Sequence, residues 1–402
     1  MVISLFSCTF AKFFYMEQTK GKGQGVRRAV DTTRHHRENG WDYRGRAVYH
    51  FTFPVEGRFP LFGTLEGESA ERAFIKLNPF GYRVYQILCG LPQFYAAKGF
   101  ALKVLAQKVM PDHIHLVIQV LEPLPQSIGA VVRGFKSACT MVYKQEFLSC
   151  GENAAEVHSI ANRQGNAAAL MHFARIFANR NSIWQQDAAY YHERILHAPG
   201  QLNRMINYVK DNPRRLWLKK NNPDLFRLHR HTEVCGLSFT SLGNHFLLDW
   251  HDNQTVEMPR NATVEQVQKR LQLAMAAAQN GAVTYTAAIS KGERLIARTL
   301  RKQGYPLVVL LSDGFPKDGS PHERFYKPGG IYFEACSKGQ LLLLEPTEQT
   351  FLNADIQSAV EETLRRKAAE RHYDYKQIPL KSQRYRFVAL NEIAKRLARI
   401  ER

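Results

Sequence analysis

The sequence contains few cysteines, few acidic residues and no long apolar run. Its 402 residues include only 6 cysteines, none in a Cys-x-x-Cys pair or at zinc-site spacing, which argues against a disulfide framework and a cysteine-based metal centre. We therefore expect free thiols and a cytoplasmic protein. No apolar run reaches the about 20 residues of a membrane helix, so no membrane role is expected. The apolar start, 1–15, is short and lacks the basic beginning and the cleavage site of a signal sequence.

The shortage of acidic residues gives the chain a strong positive charge. There are 36 Asp and Glu against 55 Lys and Arg, a formal net charge of +19. Such a balance favours a polyanionic partner, and it fits DNA, RNA or an anionic membrane surface equally well. The length exceeds what one hydrophobic core usually organises, so more than one domain is expected.

The most informative segment, 109–118, reads Val-Met-Pro-Asp-His-Ile-His-Leu-Val-Ile. Its Met-Pro-Asp turn and apolar run predict a strand, on which His113 and His115 share one face. Two imidazoles form half of a metal site, although two histidines hydrogen-bonded within a sheet would give the same pattern. A second His-x-His, His229-Arg230-His231, lies in a basic stretch without a strand pattern, and we interpret it as solvated surface.

A second informative segment, 201–213, predicts an amphipathic helix. Apolar residues recur at helical spacing up to Val209, and Asn212-Pro213 predicts the end of the helix, because a residue before proline is disfavoured in the α region. Tyr208 and Asn212 are one turn apart and share a face. They can supply a nucleophile and an amide ligand, but a tyrosine here can also simply pack against a core.

In order along the chain, four elements resemble HUH-type single-tyrosine transposases, most closely the REP-associated tyrosine transposases. They are Met110 to His115, the basic helix around Arg133-Gly134-Phe135-Lys136, Ile183-Trp184-Gln185 followed by 191–196, and Tyr208 to Pro213. The likeness covers about residues 46 to 222. It implies a ferredoxin-like α+β catalytic domain with an antiparallel sheet.

The resemblance assigns roles to residues in these elements. It implies that His113, His115 and Asn212 bind a divalent cation, Mg²⁺ or Mn²⁺, and that Tyr208 attacks single-stranded hairpin DNA. The implied product is a 5′-phosphotyrosine enzyme that rejoins strands without ATP. It also implies a cytoplasmic, nucleoid-associated bacterial enzyme and leaves a homodimer open.

Several basic residues are expected to flank the cleft and bind DNA, although they would also suit a solvated face. These residues are Arg133, Lys136, Lys144, Arg214 and Arg215. Tyr190 and Tyr191 compete with Tyr208 for the nucleophile, but neither has an amide residue one turn later. His192 and Glu193 are weaker candidates for assisting the metal or the leaving group.

The predicted organisation has a basic N-terminal arm (1–45), the transposase domain (46–228) with an insertion (151–180), an α/β domain (229–360) and a basic helical tail (361–402). Buried strands around a helix make the third region resemble a Rossmann-like βαβ domain. There, Ser290-Lys291-Gly292-Glu293 can present amides to a phosphate, although a structural turn is the alternative. The tail can add a DNA-binding or assembly surface.

Two other functions stay open. A replication initiator or relaxase-like nickase would use the same residues, and a domesticated protein would bind hairpin DNA without cutting it.

Overall fold

Two structural units, Met1–Trp217 and Leu218–Arg402, divide the chain in the computed structural model. The structure describes residues 38, 40–148, 182–185, 192–311, 314–315, 332–370, 372 and 378–399. Most of the predicted arm, all of the predicted insertion, and Tyr190 and Tyr191 therefore lie outside the described residues. The division falls within one helix, after Trp217.

The first unit is built on a four-stranded sheet. Its elements are β1 (Val48–Pro54), β2 (Gly63–Glu66), β3 (Phe74–Leu77), α1 (Pro79–Ala96), β4 (Leu102–Val109), β5 (His113–Val120), α2 (Gly129–Val142), β6 (His192–Ile195) and α3 (Gln201–Asn221). The strands lie in the order β4-β5-β1-β6, and all neighbours are antiparallel. β2 and β3 form a separate hairpin. The predicted α+β class is confirmed.

The two faces of this sheet bury different residues, because side chains alternate along each strand. On one face, Phe51, Phe53 and Ile114 join the large core that includes α1 and α2. On the other, Val117 packs with Met205 and other apolar residues of α3. The polar residues of β1 and β5 therefore face α3, and α1 and α2 cover the opposite side.

The predicted helix end at Asn212-Pro213 is wrong, because α3 continues to Asn221. Proline removes one helical hydrogen bond, but nearby side chains support the turn. Asn212 Nδ2 donates to the Tyr208 carbonyl at 2.8 Å. Asp211 accepts from Arg214 Nε at 3.0 Å and Arg215 Nε at 2.9 Å, so two ion pairs span the proline. These contacts keep Tyr208 and Asn212 on one continuous helix.

The second unit contains a six-stranded mixed sheet between two helical layers. Its elements are α4 (Pro223–Phe226), β7 (His229–Val234), β8 (Leu237–Gly243), β9 (Asn253–Thr255), α5 (Val264–Gln279), β10 (Val283–Thr286), α6 (Lys291–Lys302), β11 (Leu307–Leu310), α7 (Phe333–Ser337), β12 (Leu341–Pro346), α8 (Glu348–Phe351), α9 (Ala354–Glu370) and α10 (Gln383–Ala398). The order is β7-β8-β12-β11-β10-β9, with β9 to β12 parallel.

The central strands of this sheet are buried on both faces. Val308 and Leu310 of β11 pack against the layer of α9 and α10. Leu307 and Val309, which alternate with them, pack against the layer of α5, α6 and α7. Continuous apolar strands are what a doubly covered parallel sheet requires.

Two structural expectations for this region are wrong. No strand was expected at His229-Arg230-His231, but this stretch begins β7, which pairs with β8. Its interpretation as surface is confirmed for Arg230 and His231, which are exposed. The two-residue turn between β7 and β8 is Cys235-Gly236, both with positive φ, and the prediction missed it because Asn or Asp usually precedes the glycine. The C-terminal helix is also not a separate tail, since Leu390 and Ile393 of α10 are buried in the sheet's core.

Candidate metal and nucleophile site

Three elements of the first unit bring polar residues together on the face covered by α3. His113 and His115 come from β5, His50 and Thr52 from β1, and Tyr208 from α3. Thr52 pairs directly with His115 in the strand register. The predicted convergence of the histidine pair is therefore observed: the two Nε2 atoms lie 3.2 Å apart.

The two histidines belong to a chain of polar contacts. Asp112 Oδ1 lies 2.6 Å from His113 Nδ1, and Arg58 lies 3.7 Å from the same carboxylate. At the other end, His115 Nδ1 lies 3.1 Å from His50 Nε2 and 3.0 Å from Thr52 Oγ1. Each imidazole thus has its Nδ1 atom held by a partner and its Nε2 atom directed at the other ring. Such partners orient metal-binding histidines.

The electrostatics keep His115 neutral. Burial is the main cause that lowers its pKa well below the ordinary value, and His113, His50 and then Arg58 lower it further. A hydrogen bond with Asn212 acts in the opposite direction. A neutral imidazole at physiological pH retains the lone pair that a metal ion needs.

The Asp112 carboxylate is kept ionised. Burial alone would raise its pKa, but His113 and then Arg58 bring the pKa below its ordinary value. An ionised carboxylate accepts the Nδ1 proton of His113, which leaves Nε2 of that ring as an acceptor.

The donor set fits a divalent cation. Without a cation, one Nε2 atom must donate to the other. Because Nε2 of His113 is an acceptor, His115 carries its proton on Nε2, and its Nδ1 accepts from His50 and Thr52. If a cation bound both Nε2 atoms, the proton of His115 would lie on Nδ1, where the Thr52 hydroxyl could accept a hydrogen bond instead of donating one. Two ligand nitrogens each about 2.1 Å from one ion lie about 3 Å apart, close to the separation of the two Nε2 atoms. Among the described residues, His, Cys, Asp and Glu do not form a group of three that could hold a metal ion, so a third ligand from these residues would be of another type.

Asn212 and Tyr208 complete this face. Asn212 is buried, and its amide nitrogen is used within α3, so its oxygen is the atom suited to an acceptor or ligand role. The Tyr208 ring meets the His115 ring edge to face, with centroids 5.4 Å apart, and the His50 ring with centroids 6.5 Å apart. The Arg215 guanidinium lies 5.3 Å from the centre of the Tyr208 ring, in a cation–π contact.

The predicted DNA-binding residues fall into two groups. Arg214 and Arg215 lie on α3 beside Tyr208, but both contact Asp211, and Arg215 is only 12% exposed. Arg133 and Lys136 lie on α2, and Lys144 lies in the π-helical turn, Tyr143–Leu148, that follows it. Because α2 packs against the opposite face of the sheet, the structure does not bring these three residues to the histidines. Burial lowers the pKa of Lys136 to about 8.

The Trp-Gln element has a structural position. Trp184 is buried, donates from Nε1 to the Lys136 carbonyl at 2.9 Å, and pairs with Val55 just after β1. His192 lies opposite Thr52 in the register of β6, whereas Glu193 lies opposite Phe51, whose side chain belongs to the other face.

Sequence reasoning missed His50 and Thr52. A signal was present, because Tyr49, Phe51 and Phe53 alternate with His50 and Thr52, and this alternation is typical of a strand. Both polar residues are less than 10% exposed. Buried polar groups on one strand face require partners, and here the partner is His115, more than 60 residues away.

The second unit contains the turn that the sequence offered as a phosphate site, and this turn is closed by a carboxylate of the chain itself. Glu293 is 1% exposed, and its two oxygens accept from the backbone amides of Met258 at 2.9 Å, Ile289 at 2.6 Å and Ser290 at 3.0 Å. Ser290 in turn caps α6. A buried anion already satisfies these amides, so the structural interpretation of this turn applies.

A cavity of about 400 Å³ lies elsewhere in the first unit. Its lining comes from β6 and the segments beside it, including Arg194, His197 and Gln201. His113, His115 and Tyr208 do not line it, so the candidate site lies outside this cavity.

Comparisons with known proteins add little to this geometry. Neither the protein-family models nor the curated proteins gave a match. Among solved structures, one match is described as "a putative transposase from Deinococcus radiodurans R1", with 16% identity, coverage of 44% of this chain and 95% of that chain, and a TM-score of 0.20. At that TM-score the likeness carries no inference about fold or activity. Within the described residues, no helix is long and apolar enough to cross a membrane.

Proposed function

We propose that this protein is a metal-dependent transposase that cleaves and rejoins single-stranded hairpin DNA through Tyr208. The observation that carries the proposal is the meeting of two converging imidazoles and a tyrosine on one sheet face of one chain. Asp112 on His113 and the two polar partners on His115 hold both rings in one orientation, as a metal-binding role requires.

His113, His115 and the Asn212 oxygen would hold the cation, Mg²⁺ or Mn²⁺. When bound, the cation supplies Lewis-acid polarisation of the scissile phosphate. Two imidazoles alone favour softer metals, so the amide and phosphate oxygens are what would favour a hard cation here. Asp112 and Thr52 act as positioning residues, because each fixes the orientation and proton of one ligand ring.

Tyr208 would act as the nucleophile. Its Oη forms a bond to phosphorus while the bond from phosphorus to the 3′ oxygen breaks, and the tyrosine proton is lost as the 3′ oxygen gains one. The product is a 5′-phosphotyrosine and a free 3′-hydroxyl. Attack by another 3′-hydroxyl reverses the step, so the phosphodiester energy is conserved and no ATP is needed. The Arg215 guanidinium over the ring would stabilise the developing phenolate.

The chain connectivity supports the proposal. The order β1-α1-β4-β5-α2-β6, with the sheet arranged β6-β1-β5-β4, is the split βαβ pattern of a ferredoxin-like domain. We assign the second unit to a Rossmann-like class on the basis of its four parallel strands between helical layers.

The test is the formation of a covalent adduct. Full-length protein is incubated with labelled hairpin DNA and Mn²⁺ or Mg²⁺, and the products are separated in denaturing detergent. We expect an adduct with wild type and none with Tyr208→Phe or His113→Ala. His197→Ala, a histidine of the same unit outside the site, is the matched control and should retain the adduct. Wild type that binds hairpins without forming an adduct on a broad set of sequences would instead support a non-cleaving DNA-binding protein.

A further inference from the structure

The exposed face of α6 in the second unit carries four cations in one row. Lys291, Arg294, Arg298 and Lys302 are all exposed and are spaced by three, four and four residues, which places them on one side of the helix. The row, which we call the basic face, is about 16 Å long at 1.5 Å per residue. The opposite side of α6 is buried through Ile296 and Leu300.

None of these four cations forms an ion pair within the described part of the chain. The other helical layer differs, because cations of α9 and α10 are paired with acids. These pairs are Arg365 with Glu361, Arg366 with Glu370, Lys367 and Lys395 with Glu257, Arg386 with Glu348, and Arg396 with Asp355. The acidic residue of α6 itself, Glu293, is buried and bound to amides. Among the described residues, the cations of α9 and α10 are therefore paired with acids, whereas the four cations of the basic face are not.

Folding does not account for this arrangement. Lys291 and Arg294 lie in the first turn of α6, where the helix dipole disfavours positive charge. Arg294, Arg298 and Lys302 repel one another at spacings of one turn. A row of cations that weakens its own helix is stabilised when a polyanion binds to it.

We propose that the basic face binds the phosphate backbone of duplex DNA. α6 contains no Phe, Tyr or Trp, so it lacks the stacking surface that single-stranded nucleic acid uses, whereas arginine and lysine suit phosphate oxygens. The face lies on one uninterrupted helix, Lys291–Lys302, so its cations follow a regular spacing. The choice of DNA over RNA rests on the proposed function of the first unit.

The test measures the salt dependence of binding. Three full-length proteins are titrated into a fluorescent 20-base-pair duplex between 50 and 200 mM salt. They are wild type, a triple variant of the basic face (Arg294→Gln, Arg298→Gln, Lys302→Gln) and a triple control from the other layer (Arg365→Gln, Arg366→Gln, Arg386→Gln). The plot of log K against log salt has a negative slope, and each lost phosphate contact reduces the magnitude of this slope by about 0.9. We therefore expect the magnitude of the slope to fall by about 2 to 3 for the triple variant. The control removes the same charge from the other layer and should keep the wild-type slope.

A second variant guards against misfolding of the first. Arg298→Gln alone should lower the slope by about 0.9 at an unchanged unfolding midpoint. The proposal would be overturned if both basic-face variants kept the wild-type slope. It would also be overturned if the slope of the triple control changed as much as that of the triple variant. Two further results would overturn it. One is that the triple variant loses more affinity for single-stranded DNA than for duplex DNA, and the other is that wild type binds an RNA duplex more tightly than the DNA duplex.

Failure of this proposal is separable from failure of the first. Tyr208→Phe should bind the duplex with the wild-type slope, although it forms no adduct. The triple variant should still form the adduct at saturating hairpin DNA.

Discussion

Removing the Asp112 carboxylate is expected to weaken divalent metal binding without unfolding the protein. The carboxylate lies 2.6 Å from His113 Nδ1 and fixes the proton on that nitrogen. Loss of such a partner typically lowers metal affinity about 10- to 100-fold, which equals about 1.4 to 2.7 kcal/mol. Asp112→Ala removes both the charge and the acceptor, so we expect a loss of metal affinity of about 100-fold, the upper end of this range. Asp112→Asn retains an acceptor but loses the charge, so we expect about tenfold.

The measurement is titration calorimetry with Mn²⁺ on the full-length protein. Arg58→Gln is the matched control, because this side chain is 51% exposed and lies 3.7 Å from the carboxylate, and it should change the affinity by less than about threefold. His113→Ala should abolish binding. If Asp112→Ala binds Mn²⁺ as tightly as wild type while His113→Ala does not bind, the carboxylate does not position the ligand. If wild type shows no Mn²⁺ binding, the proposed metal site is refuted.

Two further predictions concern stability. Glu293→Ala leaves the backbone amides of Met258, Ile289 and Ser290 without an acceptor, and it should lower the free energy of unfolding of the second unit by about 3 kcal/mol. Glu293→Gln, which keeps an acceptor oxygen, should lower it by about 1 to 2 kcal/mol. Urea denaturation measures both losses, and equal losses in the two variants would contradict the role of the carboxylate. Burial would raise the pKa of Glu257, but Lys395 and Lys367 lower it below its ordinary value. The stabilisation that ionised Glu257 gives the folded state is therefore present above about pH 4.3 and is lost as the pH falls below that value. Glu257→Gln should weaken the dependence of the free energy of unfolding on pH in this acidic range. An unchanged pH profile of stability would refute this prediction.

The sequence alone predicted the parts of the site that depend on local pattern. His113 and His115 share a strand face because side chains alternate along a strand, and Tyr208 and Asn212 share a helix face because they are one turn apart. Both relations follow from backbone geometry within a few residues. The roles of these residues stay predictions.

The parts that could not be predicted depend on distant partners or on unusual turns. His50 and Thr52 reach His115 only through the pairing of β1 with β5. The continuation of α3 past Pro213 depends on side-chain contacts that propensity rules do not include. Which face of the sheet α2 would cover was also undetermined, so Arg133 and its neighbours were expected beside the wrong layer.

The Asn212-Pro213 step in α3 has a mechanical consequence. A proline in a helix is a natural point of bending, and here the bend point lies one turn after the proposed nucleophile, with Asp211 bridging it to Arg214 and Arg215. The second half of α3 leads directly into the next unit. The turn of α3 that contains Pro213 therefore depends on Asp211 for both of the ion pairs that span it, and this turn directly follows the proposed nucleophile.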